Sequence, residues 1–208
     1  MIAIIDLGIG NVKSVKNAFD FLKIPSKIIS PDSNLDIFDG LILPGVGSFG
    51  NGHDSLNKNF IGKKIVKAVV KNQKPILGIC LGMQLLAEFS EEFANVKGLS
   101  LVQGSSYLIS SSDKKLKVPN IGWYDVEVKT GSKLFENISN PTFYFLHSYH
   151  VILKNLDLAQ GNIKYGTKQI LAAFSHKNIY GVQFHPEKSQ EAGLTLLKNF
   201  YNIVESLK

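Results

Sequence analysis

The chain has 208 residues, 44% of them hydrophobic, enough to bury the core of one domain. Its formal charge of +6 comes from 23 lysines with no arginine, which argues against phosphate or nucleic-acid recognition by guanidinium forks; the lysines are scattered, with Lys63, Lys64, Lys67 and Lys71 on the polar side of one helix, and read as solvated surface. One cysteine excludes a thiolate metal cluster, no apolar run approaches ~18 residues, and Met1–Asp6 reads as a strand rather than a leader, so a cytoplasmic protein without metal or cofactor is expected.

Met1 to Ile5 predicts the first strand, followed by Gly8-Ile-Gly10-Asn11 and a helix carrying Val12, Val15, Ala18, Phe19 and Leu22 at helical spacing. The Gly-x-Gly is half of a dinucleotide fingerprint, but the third glycine and a convincing acidic residue at the next strand end are missing. Strands follow at Lys27–Ile29 and Gly40–Leu43. After the latter, Pro44 to Gly52 holds four glycines in nine residues and reads as a loop presenting backbone N–H groups. A helix is expected from about Asp54 to Asn72.

Pro75 to Ile79 is an apolar strand leading into Gly78-Ile-Cys80-Leu-Gly82. Glycines two before and two after the cysteine allow a strand to turn sharply into a helix, which presents the central side chain on a strained turn. The N-terminus of the following helix favours thiolate over thiol, and the Leu81 N–H can point at a developing oxyanion. A second donor is expected from the glycine loop, near Val46 or Gly47. Beyond Cys80, Met83, Leu85, Leu86 and Phe89 predict the packed face of a helix, with Gln84, Glu88, Glu91 and Glu92 on its polar side; Gln84, one turn from Cys80, could bind substrate.

The second half is richer in strands. Ser105 to Lys117 is the nearest thing to a linker, with 110–115 a surface hairpin or loop. Val118 to Trp123 precedes a strand from Tyr124 to Val128, and Thr142 to Val151 forms a strand-like aromatic segment whose Phe143, Tyr144, Phe145 and Tyr149 suit a core or cross-strand pairs. Ile179 to Phe184 reads as a buried strand delivering His185-Pro186-Glu187, and a closing helix starts around Ser189–Glu191.

A lone cysteine would ordinarily be a buried small hydrophobe. Here an imidazole and a carboxylate also leave a strand end. His185 can take the thiol proton and return it to a leaving group, and Glu187 can hold the other ring nitrogen in the right tautomer. His53, His147, His150 and His176 lack the spacing of a zinc site.

Cys80 in its elbow, His185-Pro-Glu187 and the glycine loop together resemble the class I, triad-type glutamine amidotransferases, over nearly the whole chain. Narrower details are Gly8-Ile-Gly-Asn11, Pro44-Gly-Val-Gly47, Gly78 to Gln84, Gly122-Trp123, Tyr144 to Tyr149 and His185 to Ser189. They resemble the glutaminase subunits of imidazole glycerol phosphate synthases of histidine biosynthesis. The resemblance implies a single α/β domain with a flavodoxin-like, mostly parallel sheet and a β-rich extension. It implies that Gln84 and Glu92 grip L-glutamine, helped by backbone at Gly45 in the glycine loop, Ser148 and Tyr149. It also implies that Asn11, Trp123, Tyr144 and Lys188 face a (β/α)8-barrel synthase subunit in a heterodimer, and that the oxyanion hole is incomplete in the isolated chain.

Two departures stand near the partner face: Asn120 and Ile121 occupy positions where histidine and methionine are expected, and Asp125 stands where asparagine is frequent. They leave open a paralogous partner that makes amidino sugars for surface glycans. A stand-alone cysteine γ-glutamyl hydrolase and a non-catalytic docking subunit are the remaining alternatives. The interface-type residues speak against the first, the intact Cys80, His185 and Glu187 against the second.

Overall fold

Short apolar runs bounded by turns build the centre of the molecule, because each is buried on both faces and must be covered twice. In the computed structural model, which describes residues 1–93, 96–110 and 116–207, β1 (Ile2–Ile5), β2 (Ser26–Ile29), β3 (Gly40–Gly45) and β4 (Ile76–Cys80) run parallel. They are joined by α1 (Val12–Phe21), α2 (Phe49–Asn57) and α3 (Ile61–Val66). After α4 (Leu81–Leu85) come β5 (Phe89–Ser90), β6 (Val96–Lys97), β7 (Gly104–Leu108), β8 (Asn120–Asp125), β9 (Glu127–Val128), β10 (Thr142–His147) and β11 (Tyr149–Leu153). The chain ends with β12 (Ala159–Tyr165), β13 (Lys168–His176), β14 (Ile179–Val182) and α5 (Gln190–Ser206).

The main sheet has the order β2-β1-β3-β4-β14-β13-β12-β9. Its first five strands are parallel, and β13, β12 and β9 extend it antiparallel. Counted among the parallel strands alone, the order is the 2-1-3-4-5 of flavodoxin-like sheets, as expected, and in such sheets ligands bind outside the carboxyl ends of the strands. Ile2, Ile4, Leu77 and Ile79 face α1 and α5, packing with Val15, Phe19, Leu197 and Phe200. Ala3, Ile5, Leu41 and Leu43 face the opposite layer, with Phe49, Leu56, Ile61 and Leu85. The β-rich extension adds a two-stranded sheet, β10-β8, and a four-stranded one, β11-β7-β5-β6. Among the described residues no helix is long and apolar enough to cross a membrane.

Several boundaries differ from the sequence reading. The helix expected at Asp54 already starts at Phe49, inside the glycine-rich stretch, because the Ser48 hydroxyl caps it by accepting from the Asn51 N–H at 3.3 Å. It does not run unbroken to Asn72: Phe60 adopts a left-handed conformation, φ 56°, and α3 starts anew behind it. The helix after Cys80 is a single short stretch rather than one reaching Glu92, and Phe89 enters a strand beside β7. Ser105–Leu108 lies within β7 rather than in a linker, while 111–115 fall outside the described residues. Gly122 and Trp123 lie within β8, and the aromatic segment breaks at Ser148 into two strands of different sheets.

Candidate active site

At the carboxyl edge of the main sheet, Gly45 on β3 lies in register with Cys80 on β4. The cysteine takes φ +54° and ψ −110°, a positive-φ conformation that a non-glycine residue adopts only under constraint. The constraint is packing. A Cβ at Gly82 would stand 1.7 Å from the Leu43 carbonyl oxygen, and one at Gly78 would stand 2.7 Å from the Gly82 carbonyl carbon and oxygen. Only glycine lets strand and helix approach so closely. Gly45 has a similar task, since a Cβ there would come within 3.0 Å of Leu81 Cβ.

His185 follows β14, the parallel neighbour of β4. Phe184 anchors it by stacking on Phe143 with ring centroids 4.0 Å apart. The His185 N–H donates to the Tyr144 carbonyl at 2.9 Å, and Ser189 Oγ donates to the His185 carbonyl at 2.6 Å while accepting from the Tyr144 N–H at 3.0 Å. Pro186 then opens a single 3-10 turn that brings Glu187 back, so that His185 Nδ1–H donates to Glu187 Oε1 at 2.9 Å, both side chains 1% exposed. Asn11 Nδ2 adds a longer donation to the same oxygen, 3.4 Å.

His185 Nε2 has no hydrogen-bond partner among the described residues. Burial alone would depress His185, but the neighbouring Cys80 sulfur and Glu187 carboxylate outweigh it and raise its pKa to about 10. Cys80 Sγ also lies 3.7 Å from the Leu146 carbonyl oxygen and 3.7 Å from Gln183 Nε2.

Beside the sulfur lies a pocket of about 300 Å³ lined by Val46, Gly47, Cys80, Leu81, Gln84, Glu92, Ser148 and Tyr149, together with Pro119, Leu146 and His147. The candidate substrate residues thus meet in one cavity, with Gly45 just behind it. Two of them arrive differently from the sequence expectation. Gln84 is 5% exposed rather than on a solvated helix face, and Glu92 sits past β5, where its Oε2 accepts from the Phe49 N–H at 2.8 Å and so helps to cap α2.

The candidate oxyanion donors are not equivalent. Leu81 opens α4, so its N–H has no acceptor within the helix. The Val46 N–H is occupied, donating to the Ile9 carbonyl at 2.8 Å. Gly47 beside it holds φ +108°, where a side chain would be strained.

A buried hydrogen-bond chain, which sequence reasoning does not single out, surrounds the pocket floor. The Tyr149 carbonyl accepts from Gln84 Nε2 at 2.9 Å and from His147 Nδ1–H at 2.9 Å. Gln84 Nε2 also donates to Gln183 Oε1 at 3.2 Å, and His147 Nε2 accepts from Asn120 Nδ2 at 3.0 Å. With both amide hydrogens engaged, Gln84 offers the pocket only its oxygen, which suits a donor such as an ammonium or carboxamide N–H. The available signal was a glutamine within the apolar run 179–184: a buried amide needs partners.

On the outer face of the β8-β10 pair, Tyr144 lies opposite Trp123 and Leu146 opposite Ile121. The Trp123 and Tyr144 rings are 5.9 Å apart, and the Lys188 ammonium stands 5.8 Å from the Tyr144 ring centroid. Asn11 is linked to the site through its hydrogen bond to Glu187. Among the described residues no group of three or more His, Cys, Asp or Glu could hold a metal ion.

A family model described as "Glutamine amidotransferase class-I" matches residues 3–204. The chain belongs to the class-I glutamine amidotransferase family. Relatives in that family include the imidazole glycerol phosphate synthase subunit HisH of Pyrococcus furiosus, 42% identical over 96% of this chain and 97% of that protein. HisH of Chlorobaculum tepidum is 39% identical over 96% and 98%. Among solved structures, PurLQS from Thermotoga maritima superposes with a TM-score of 0.74 at 18% identity, covering 98% of each chain. A glutamine amidotransferase from Thermotoga maritima does so at 0.60 and 19%, covering 99% of this chain and 84% of that one. At these identities the structures speak for the class-I amidotransferase fold alone.

Proposed function

We propose that this chain is a glutaminase subunit. It hydrolyses L-glutamine to glutamate and ammonia and passes the ammonia to a (β/α)8-barrel synthase that makes imidazole glycerol phosphate and AICAR in histidine biosynthesis. The observation that carries the chemistry is the meeting of Cys80, His185 and Glu187 at one sheet edge beside the pocket that holds Gln84 and Glu92. The identity to the two HisH subunits supports the pathway.

In the reaction, Cys80 Sγ attacks the carboxamide carbon of glutamine. The carbonyl oxygen becomes an oxyanion facing the Leu81 N–H. His185, kept protonated by its neighbours, gives its proton to the departing nitrogen, and ammonia leaves as the C–N bond breaks. Water then attacks the γ-glutamyl thioester, His185 takes its proton, and glutamate departs as the C–S bond breaks. Glu187 holds the imidazole throughout. Since the Val46 N–H is engaged with Ile9, this candidate loop donor is occupied in the resting site, which fits a glutaminase that idles until its partner is engaged. The apolar outer face of Ile121, Trp123, Tyr144 and Leu146, with Lys188 beside it, supports a protein partner there.

The test is glutamate release by the chain alone and mixed with an imidazole glycerol phosphate synthase barrel subunit plus its nucleotide substrate. Strong stimulation is expected. Equal activity without the partner would instead indicate a free hydrolase, and silence in both would direct the search to a sugar-amidotransferase partner. Cys80→Ala is expected to lower glutamine hydrolysis by more than about a thousandfold while sparing synthesis driven by added ammonia; retained hydrolysis would sink the mechanism.

A further inference from the structure

We infer that Gln183 is a positioning residue for the nucleophile, its amide nitrogen steadying the Cys80 sulfur in its reactive state while its oxygen fixes Gln84. The inference rests on the reading of Cys80 as the nucleophile. It starts from a single backbone carbonyl. The oxygen of Tyr149 can only accept, so Gln84 must turn its nitrogen toward it, and that nitrogen then meets the oxygen of Gln183 at 3.2 Å. The Gln183 amide therefore has one possible sense, with Nε2 toward Cys80 Sγ at 3.7 Å. Gln183 is fully buried, and its backbone N–H is tied to the Ala172 carbonyl at 2.8 Å, so the side chain stands on a fixed base.

Sulfur thus sits between an acceptor and a donor. When the sulfur carries its proton, the Leu146 carbonyl 3.7 Å away can accept it. When the proton leaves, that carbonyl loses its partner and faces a negative charge, whereas the Gln183 amide gains a charged acceptor, a stronger hydrogen bond in a site screened from water. Gln183 accordingly favours the anionic sulfur over the neutral one. Its second contact gives the same residue a hold on the substrate pocket through Gln84.

Cys80 is the only cysteine in the chain, so alkylation by iodoacetamide reads one sulfur. Gln183→Met, similar in shape but without donor or acceptor, is expected to slow alkylation of the full chain at pH 7.5 by roughly ten- to a hundredfold, the span of a hydrogen bond to a charged group. The alkylation profile should move to higher pH. In the assembled enzyme kcat for glutamine hydrolysis should fall by a similar factor, with a smaller, severalfold rise in KM from the loosened Gln84. A folded variant that alkylates at the parental rate overturns the proposal. Should the variant not fold, the unmutated chain decides. The Gln183 side-chain amide protons should shift in NMR spectra with the same pH midpoint as the alkylation rate, and resonances that ignore this transition overturn it equally. Failure of the glutaminase reading is distinguishable, since it appears as hydrolysis by Cys80→Ala whatever Gln183 does.

Discussion

His147 shows how a single side chain can be fixed in one protonation state. Burial depresses its pKa to about 4, against the pull of the Tyr149 carbonyl and with some help from the charges of His150 and His185. The neutral ring fits its contacts, Nδ1–H donating to Tyr149 and Nε2 accepting from Asn120. The asparagine that departs from the expected histidine at position 120 is thereby given a task. Between pH 6.5 and 4 the unfolded chain takes up a proton that the folded chain refuses, so stability falls as pH falls through that window, by up to about 3 kcal/mol from this residue. His147→Gln is expected to show a shallower loss of urea midpoint between pH 7 and 4.5. A residual slope remains because burial also lowers His150 to about 4. At this scale the sequence was legible where chemistry is local: Cys80 between its glycines, and His185 two residues from Glu187. Gln183, Asn120 and His147 were not, because their partners lie 27 to 103 residues away or on a backbone carbonyl whose direction only the folded chain defines.

Among the elements, α4 rests directly on the ends of β3 and β4, and the contact admits no side chain at Gly82. Gly82→Ala should cost more than about 3 kcal/mol in denaturant unfolding, because the Leu43 carbonyl is backbone and cannot turn aside without disturbing β3. An unfolding free energy within about 1 kcal/mol of the parent would show that the elbow tolerates a wider separation than its packing implies. The strand starts near the elbow were legible as apolar runs, whereas the helix ends were not. Glycines at 50 and 52 read as loop, yet the Ser48 cap and the Glu92 carboxylate together hold a helix there. Glu92 itself read as the polar face of a longer helix. The chain leaves α4 after Leu85 and pairs Phe89–Ser90 with β7, and tertiary pairing of this kind leaves no periodicity to read.

For the molecule as a whole, the parallel half was legible and the extension only in outline. Strand-like segments were visible at Tyr124–Val128 and Thr142–Val151, whereas β7 was read as the nearest thing to a linker, and the division of the extension into two separate sheets depends on long-range pairing. The face that results carries Trp123 47% exposed and Ile121 55% exposed on one strand, with Tyr144 and Leu146 across from them. Trp123→Ala should weaken association with the proposed barrel subunit by about 2 kcal/mol, roughly thirtyfold in Kd, while leaving the melting temperature of the isolated chain nearly unchanged, as the ring is half out of the core. Calorimetric titration would check the first expectation and thermal unfolding the second; unchanged affinity would remove this face from the interface. β10 has a mechanical consequence as well. Its Tyr144 ring packs against Trp123 on the outside, and two residues along the same strand the Leu146 carbonyl touches the Cys80 sulfur. Handle and working end are separated by one intervening residue, a lever too short to bend. Any ligand that shifts the β8-β10 pair, natural or designed, acts within one residue of the contact to the sulfur, and a binder selected against this outer face would serve as a throttle for the chemistry inside.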